Sequence, residues 1–200
     1  MRCLIAIITL FFSPTVALAA DKDDAGRCAR GDNPELCRLY SADQAVRQAR
    51  PLDLSKLDDP AAVTTARTLI RRDGLRTGND YFKAATLLLH SSETEDYLLA
   101  HILATEGMAV APKHRRIRLL AALSLDRYLL AVDQPQVFGT QMSGDASELV
   151  FRGDVNCRLL DTRVRASFLG EYPEPCRVRG DDRIARRALE DRRSPEAKRD

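Results

Sequence analysis

The side chains best suited to chemistry fall in two neighbouring stretches, "SLDRYLLAV" and "QPQVFGTQM". On a 3.6-residue period Asp126 continues the apolar stripe of Leu119, Ala122 and Leu123, with Leu130 one turn beyond, so its carboxylate points into packing. A buried carboxylate without donors is costly, and buried polar groups are usually satisfied locally. The following loop offers donors: the Thr140 hydroxyl, the amides of Gln136 and Gln141, and backbone loosened by Gly139. Asp126 is therefore expected to tie that loop to its own helix. The competing use of the same groups is a polar pocket that grips a ligand.

Three histidines are available, His90, His101 and His114. His90 closes a predicted helix, where an imidazolium meets the helix dipole favourably. His101, beside Tyr97, Leu98 and Thr105, reads as a half-core residue. A His90–Asp126 couple would supply acid–base catalysis if the helices brought the two together. Arg127, Gln136 and Gln141 would then hold an anionic or carbonyl substrate. No HExxH, GxSxG or phosphate-binding loop is present in the sequence, so neither a metal nor a cofactor is expected.

The elements that must position these groups are helical. Asp59 is a good N-cap with Pro60 in the first helical position, and Gly74 ends a helix with Val63, Ala66, Leu69 and Ile70 on one face. A second helix follows Gly78-Asn79 through "DYFKAATLLLH". Ser92 and Glu95 read as a capping box opening a third, to about Val110, before Pro112. "KHRRIRLLAALSLDRYLLAV" is apolar on nearly every side from Ile117, as expected of the central member of a bundle. Upstream, "LYSADQAVRQA" is also helical. Short linkers predict antiparallel neighbours, giving a mainly α fold: a bundle of helical hairpins, or a tetratricopeptide-like stack, with no self-similar 34-residue repeat. Past Val132 the helical period stops, and "QVFGTQM" and "ELVFRGDVNCRLL" predict a small β-hairpin. "TRVRASFLG" predicts one more short helix, stopped by Gly170.

Residues 1–19 have the form of a secretory signal: Arg2, an apolar run from Leu4 to Phe12, and Ala17-Leu18-Ala19 as a small-x-small cleavage site. Cys28 lacks an apolar lead-in, so a lipoprotein is not expected. No other stretch approaches a spanning length, and no membrane anchor should remain after cleavage. The remaining chain of about 180 residues suits one domain, 20–176, followed by a charged tail, 177–200, expected to be disordered. Cys28, Cys37, Cys157 and Cys176 form an even set in an exported chain, which argues for two disulfides over a zinc site. Pairing Cys28 with Cys37 and Cys157 with Cys176 closes the smallest loops; a link between the two pairs is the rival. With 31 basic against 29 acidic residues, no global field draws the protein to nucleic acid. Arg-Gly-Asp occurs at 30–32, 152–154 and 179–181, where it reads as turn chemistry.

The order "ADQAVRQ", "LIRRDGL", "AATLLLHSS" and "LDRYLLAVDQPQVFGTQ" resembles an uncharacterised bacterial domain family marked by DQxxR, a QH pair, DR and QxYGTQ. The resemblance spans most of residues 40–142. It implies weight on Asp43, Gln44 and Arg47, on His90, on Asp126 and Arg127, and on Gln136, Gly139, Thr140 and Gln141. Leu89 stands where the family has Gln, Phe138 replaces Tyr, and Leu75 follows Gly74 where Trp-Pro is common. Together these readings predict an exported helical binding or interaction domain whose partner is a protein or a small polar or anionic ligand. The alternative is a hydrolase-like enzyme using His90 and Asp126.

Overall fold

The computed structural model describes residues 27–57, 59–143, 150–170 and 176; the expected signal segment and the charged tail lie outside them. Helix α1 (Pro34–Gln48) starts earlier than "LYSADQAVRQA" suggests because Asn33 caps it. The Asn33 side-chain oxygen accepts from the backbone N–H groups of Glu35 and Leu36, and Pro34 takes a position that needs no donor. After a single 3-10 turn (Leu54–Lys56), α2 (Pro60–Arg71) begins on Asp59 as its sequence predicts. Helix α3 (Gly78–Leu89) opens with a reciprocal capping box between Thr77 and Asp80 and ends at His90.

Helix α4 (Thr94–Val110) does not use the expected Ser92–Glu95 box, and its N-cap Glu93 makes no side-chain cap bond. Ser91 turns inward instead. Its hydroxyl accepts from the Glu93 N–H and donates to Asp96, which is wholly buried and holds Arg67 of α2. An inward hydroxyl that satisfies a buried carboxylate outweighs an exposed cap. Helix α5 (Arg115–Ala131) is capped by His114, whose Nδ1 accepts from the Ile117 N–H.

The central helix is α3, not α5 as its apolar sequence suggests. Every α3 residue from Phe82 to Leu89 is buried, whereas Leu119, Leu123, Leu125, Leu129 and Leu130 of α5 are only half-buried. Small residues let neighbours close on α3: a Cβ on Gly78 would lie 2.3 Å from the Ala111 Cβ, and one on Gly107 would lie 2.8 Å from the Tyr81 Cβ. Helices α3 and α4, and α4 and α5, pack as the expected antiparallel hairpins. Helix α1, two helices earlier in the chain, runs parallel to α3, with a recurring offset of 47 residues: Asn33 meets Asp80, and Asp43 meets His90. The C-terminal ends of α1, α3 and α5 therefore share one end of the bundle.

Beyond α5, strand β1 (Met142–Ser143) pairs antiparallel with β2 (Val150–Phe151), and Gln136 bridges Val155. Helix α6 (Thr162–Leu169) is capped by Asp161 and stopped by Gly170 at φ +61°. Cys28–Cys37 and Cys157–Cys176 are the two disulfides, the local pairing. The first Arg-Gly-Asp triplet is a turn and the second a bend, with Gly31 and Gly153 at positive φ, and the third lies outside the described residues. No described helix is long and apolar enough to cross a membrane.

Candidate functional site

Asp126 faces inward from α5 and is completely buried. Its Oδ1 accepts from the N–H groups of Val137 at 2.7 Å and Phe138 at 2.9 Å. Its Oδ2 accepts from the Thr140 N–H at 2.8 Å and the Thr140 hydroxyl at 2.9 Å. The loop's amides are spent on protein groups within the loop and on the segments packed against it. The Gln136 Nε2 donates to the carbonyls of Arg152 and Gln141, at 2.7 and 3.1 Å, and its oxygen accepts from the Gln141 N–H. The Gln141 Nε2 reaches the Leu123 carbonyl and the Thr140 Oγ1. Asp126 thus ties the loop to its helix, and its two oxygens are committed there.

Three other buried carboxylates are closed in the same way. Asp96 holds Ser91 and Arg67. Asp80 accepts from the N–H groups of Asn33, Arg76 and Thr77. Asp32 accepts from the Lys83 ammonium at 2.8 Å, with both side chains sealed from solvent, and also from Thr77, Asn79 and the Ala29 N–H. Burial alone would raise the Asp32 pKa; the bonds from Lys83, Ala29 and Thr77, with the Lys83 charge, bring it down to about 2. Sequence reasoning missed this pair because it joins a loop that reads as a polar tail to a helix 51 residues away.

Asp43 and His90 form a fifth cluster, built differently. The His90 Nδ1 lies 2.9 and 3.1 Å from the two Asp43 oxygens. Asp43 also accepts from the Arg47 Nε at 2.8 Å, one helix turn on, and from the Gln44 amide at 2.9 Å. Arg47 is anchored in turn on the Leu57 carbonyl. Burial pushes the Asp43 pKa up, but the bonds and charges of His90 and Arg47 outweigh it and leave the pKa below its usual value. An ionised carboxylate can only accept, so the Nδ1 carries a proton. For His90, burial lowers the pKa, with Arg47 and Arg127 adding to it and Asp43 opposing, so the neutral ring is favoured. Nε2 then carries a lone pair. No protein partner meets it among the described residues, and the His90 side chain keeps 18 % of its surface exposed.

Arg127 completes the arrangement from α5. Its Nη1 donates to the Leu89 carbonyl at 2.7 Å, beside His90, and its guanidinium lies 5.2 Å from the centre of the Tyr97 ring. No carboxylate among the described residues pairs with it. Burial lowers its pKa, the charges of Arg152 and Arg47 lower it further, and Tyr97 opposes them. Among the described residues this half-buried guanidinium therefore has a carbonyl and a ring face but no carboxylate to balance its charge.

The structure thus separates the residues singled out from sequence into two groups. Asp43, Gln44, Arg47, His90 and Arg127 converge where α1, α3 and α5 end. Asp126, Gln136, Gly139, Thr140 and Gln141 form the loop anchor. The anticipated His90–Asp126 couple is not formed: His90 faces the parallel helix α1 and takes Asp43, while Asp126 is filled by backbone donors. His101 is held on the Ala121 carbonyl, consistent with a half-core role. Among the described residues no cluster of three or more His, Cys, Asp or Glu is placed to hold a metal ion. No family model, curated protein or solved structure matches the chain.

Proposed function

We propose that the protein is an exported helical binding domain for a small anionic ligand, a carboxylate or phosphate, seated between the Arg127 guanidinium and the Nε2 edge of His90. The observation that carries this reading is the uncompensated charge of Arg127. Four buried acid clusters elsewhere in the fold are closed, whereas among the described residues Arg127 meets no acid and the neighbouring His90 Nε2 no protein partner. A guanidinium presents a planar fork of donors that matches a carboxylate or phosphate, and Tyr97 beneath it fixes its plane. Export is supported by the signal-like first 19 residues and by two disulfides. Five of the positions marked by the family resemblance meet at this one place, which also favours it as the site.

The test is a thermal-shift panel on the purified protein with inorganic phosphate, citrate and acetate against a chloride control. A ligand that binds only the folded state raises the melting temperature with concentration. The expected result is a saturable rise with at least one of these anions beyond that of chloride at equal ionic strength. No difference from chloride across the panel would remove the basis for an anion site.

A further inference from the structure

We propose that the Asp43–His90 pair is a general base and that the site hydrolyses carboxylic esters, with water as nucleophile and the Arg127 guanidinium facing the oxyanion. This inference rests on the anion-site reading, because the carboxylate released by such a reaction is the kind of ligand that site takes.

General-base catalysis by histidine needs one ring nitrogen pinned so that the other presents its lone pair in a fixed direction. Asp43 pins Nδ1 at 2.9 Å and is itself held by Arg47 and Gln44, so the imidazole has little freedom to turn. Among the described residues Nε2 has no protein partner, and the ring sits at the C-terminal end of α3. The carbonyls at that end, together with the Asp43 charge, favour the imidazolium that forms when His90 accepts a proton. Arg127 is bonded to the carbonyl of Leu89, one residue from the ring, so a preorganised cation lies beside the base. Asp126 plays no part, since both its oxygens are held by the loop.

In the reaction, a water molecule gives a proton to the His90 Nε2 as its oxygen forms a bond to the ester carbonyl carbon. The carbonyl electron pair moves onto oxygen, and the resulting oxyanion is held by Arg127. When the tetrahedral intermediate collapses, that pair re-forms the carbonyl, the alkoxide leaves, and the imidazolium returns its proton to it. The products are a carboxylic acid, ionised at neutral pH, and an alcohol. Asp43 is a positioning residue: it acts through His90 and never touches the substrate.

The experiment measures p-nitrophenyl acetate hydrolysis by the purified wild-type protein, by His90→Asn and by Asp43→Asn. Asparagine at 90 places an amide where Nδ1 was, keeping a donor for Asp43 while removing the base. Saturable wild-type hydrolysis above buffer, with a loss of about 100-fold or more in His90→Asn and an unchanged melting temperature, is the expected result. Asp43→Asn should lower kcat with little change in KM, a split that a purely structural role would not produce. Hydrolysis by His90→Asn at the wild-type rate, or no wild-type hydrolysis above buffer, overturns the inference. Phosphate or acetate binding by the wild type in that event leaves the anion site standing, whereas its absence as well removes both readings.

Discussion

Asp126→Asn changes almost nothing in shape and a great deal in hydrogen bonding. The carboxylate is wholly buried and accepts four bonds at 2.7–2.9 Å, three from backbone N–H groups and one from Thr140. A bond to a charged group contributes about 1.5–3 kcal/mol and a neutral one about 1, so the two bonds to the retained oxygen weaken by about 1 kcal/mol each. The new NH2 group faces the Thr140 N–H, and a buried donor left unpaired costs about 1–3 kcal/mol. Burying an amide in place of a charge recovers part of this. The net loss should be about 3 kcal/mol, which for a domain of this size lowers the melting temperature by about 10 °C. Circular dichroism melts test the magnitude. Amide hydrogen exchange tests the cause, because Val137, Phe138 and Thr140 should lose protection before the helices do. A melting temperature within about 2 °C of wild type, with those amides still protected, would refute the anchoring role.

Other consequences follow from particular contacts. Gly107→Ala would push a methyl into the Tyr81 Cβ at 2.8 Å and the Ile117 Cδ1 at 3.1 Å; overpacking should exceed the gain in helix propensity and lower stability by about 1–2 kcal/mol in denaturant titration. Asp32, whose pKa of about 2 lies below the unfolded value, contributes stability that is full above about pH 4 and lost as pH falls toward 2. Lys83→Met should flatten that acid limb of the stability curve, and an identical limb in the variant would contradict the ion pair's role. Protein lacking residues 1–19 and made in an oxidising compartment should show no reactive thiol in denaturant before reduction and four after it, with mass mapping joining Cys28 to Cys37 and Cys157 to Cys176.

What the sequence reveals here is what is local in the chain. Asp59 with Pro60 and the stop at Gly170 are set by neighbours within a turn, and Asp126 meets loop groups only 11 to 14 residues on. Adjacent hydroxyls already defeat the rule: Ser92 has the right spacing for a capping box, yet Ser91 next to it turns inward because Asp96 and Arg67 need it. The greater misreading, His90 with Asp126, has a longer-range cause. Antiparallel succession lets α1, α3 and α5 end together but does not say which face of α3 meets which neighbour; His90 faces α1, and this places Asp43, 47 residues away, against it. The same arrangement hides Asp32 and Lys83. Likewise, the apolar richness of α5 suggests a central helix, whereas small residues at the α3–α4 contact make α3 the member on which others pack.

The central claim, that Arg127 carries a charge meant for an external anion, is tested most directly by comparing Arg127→Met with wild type as phosphate is added. Methionine keeps contact with Tyr97; it gives up the bond to the Leu89 carbonyl but also removes a half-buried cation that meets no acid among the described residues, and the two changes offset. Melting temperatures should lie within about 3 °C of each other in anion-free buffer, about 1 kcal/mol, with a gap that widens as phosphate is added because only the wild type binds it. A gap of the same size at every phosphate concentration would show that Arg127 serves the fold alone and that no anion site exists there.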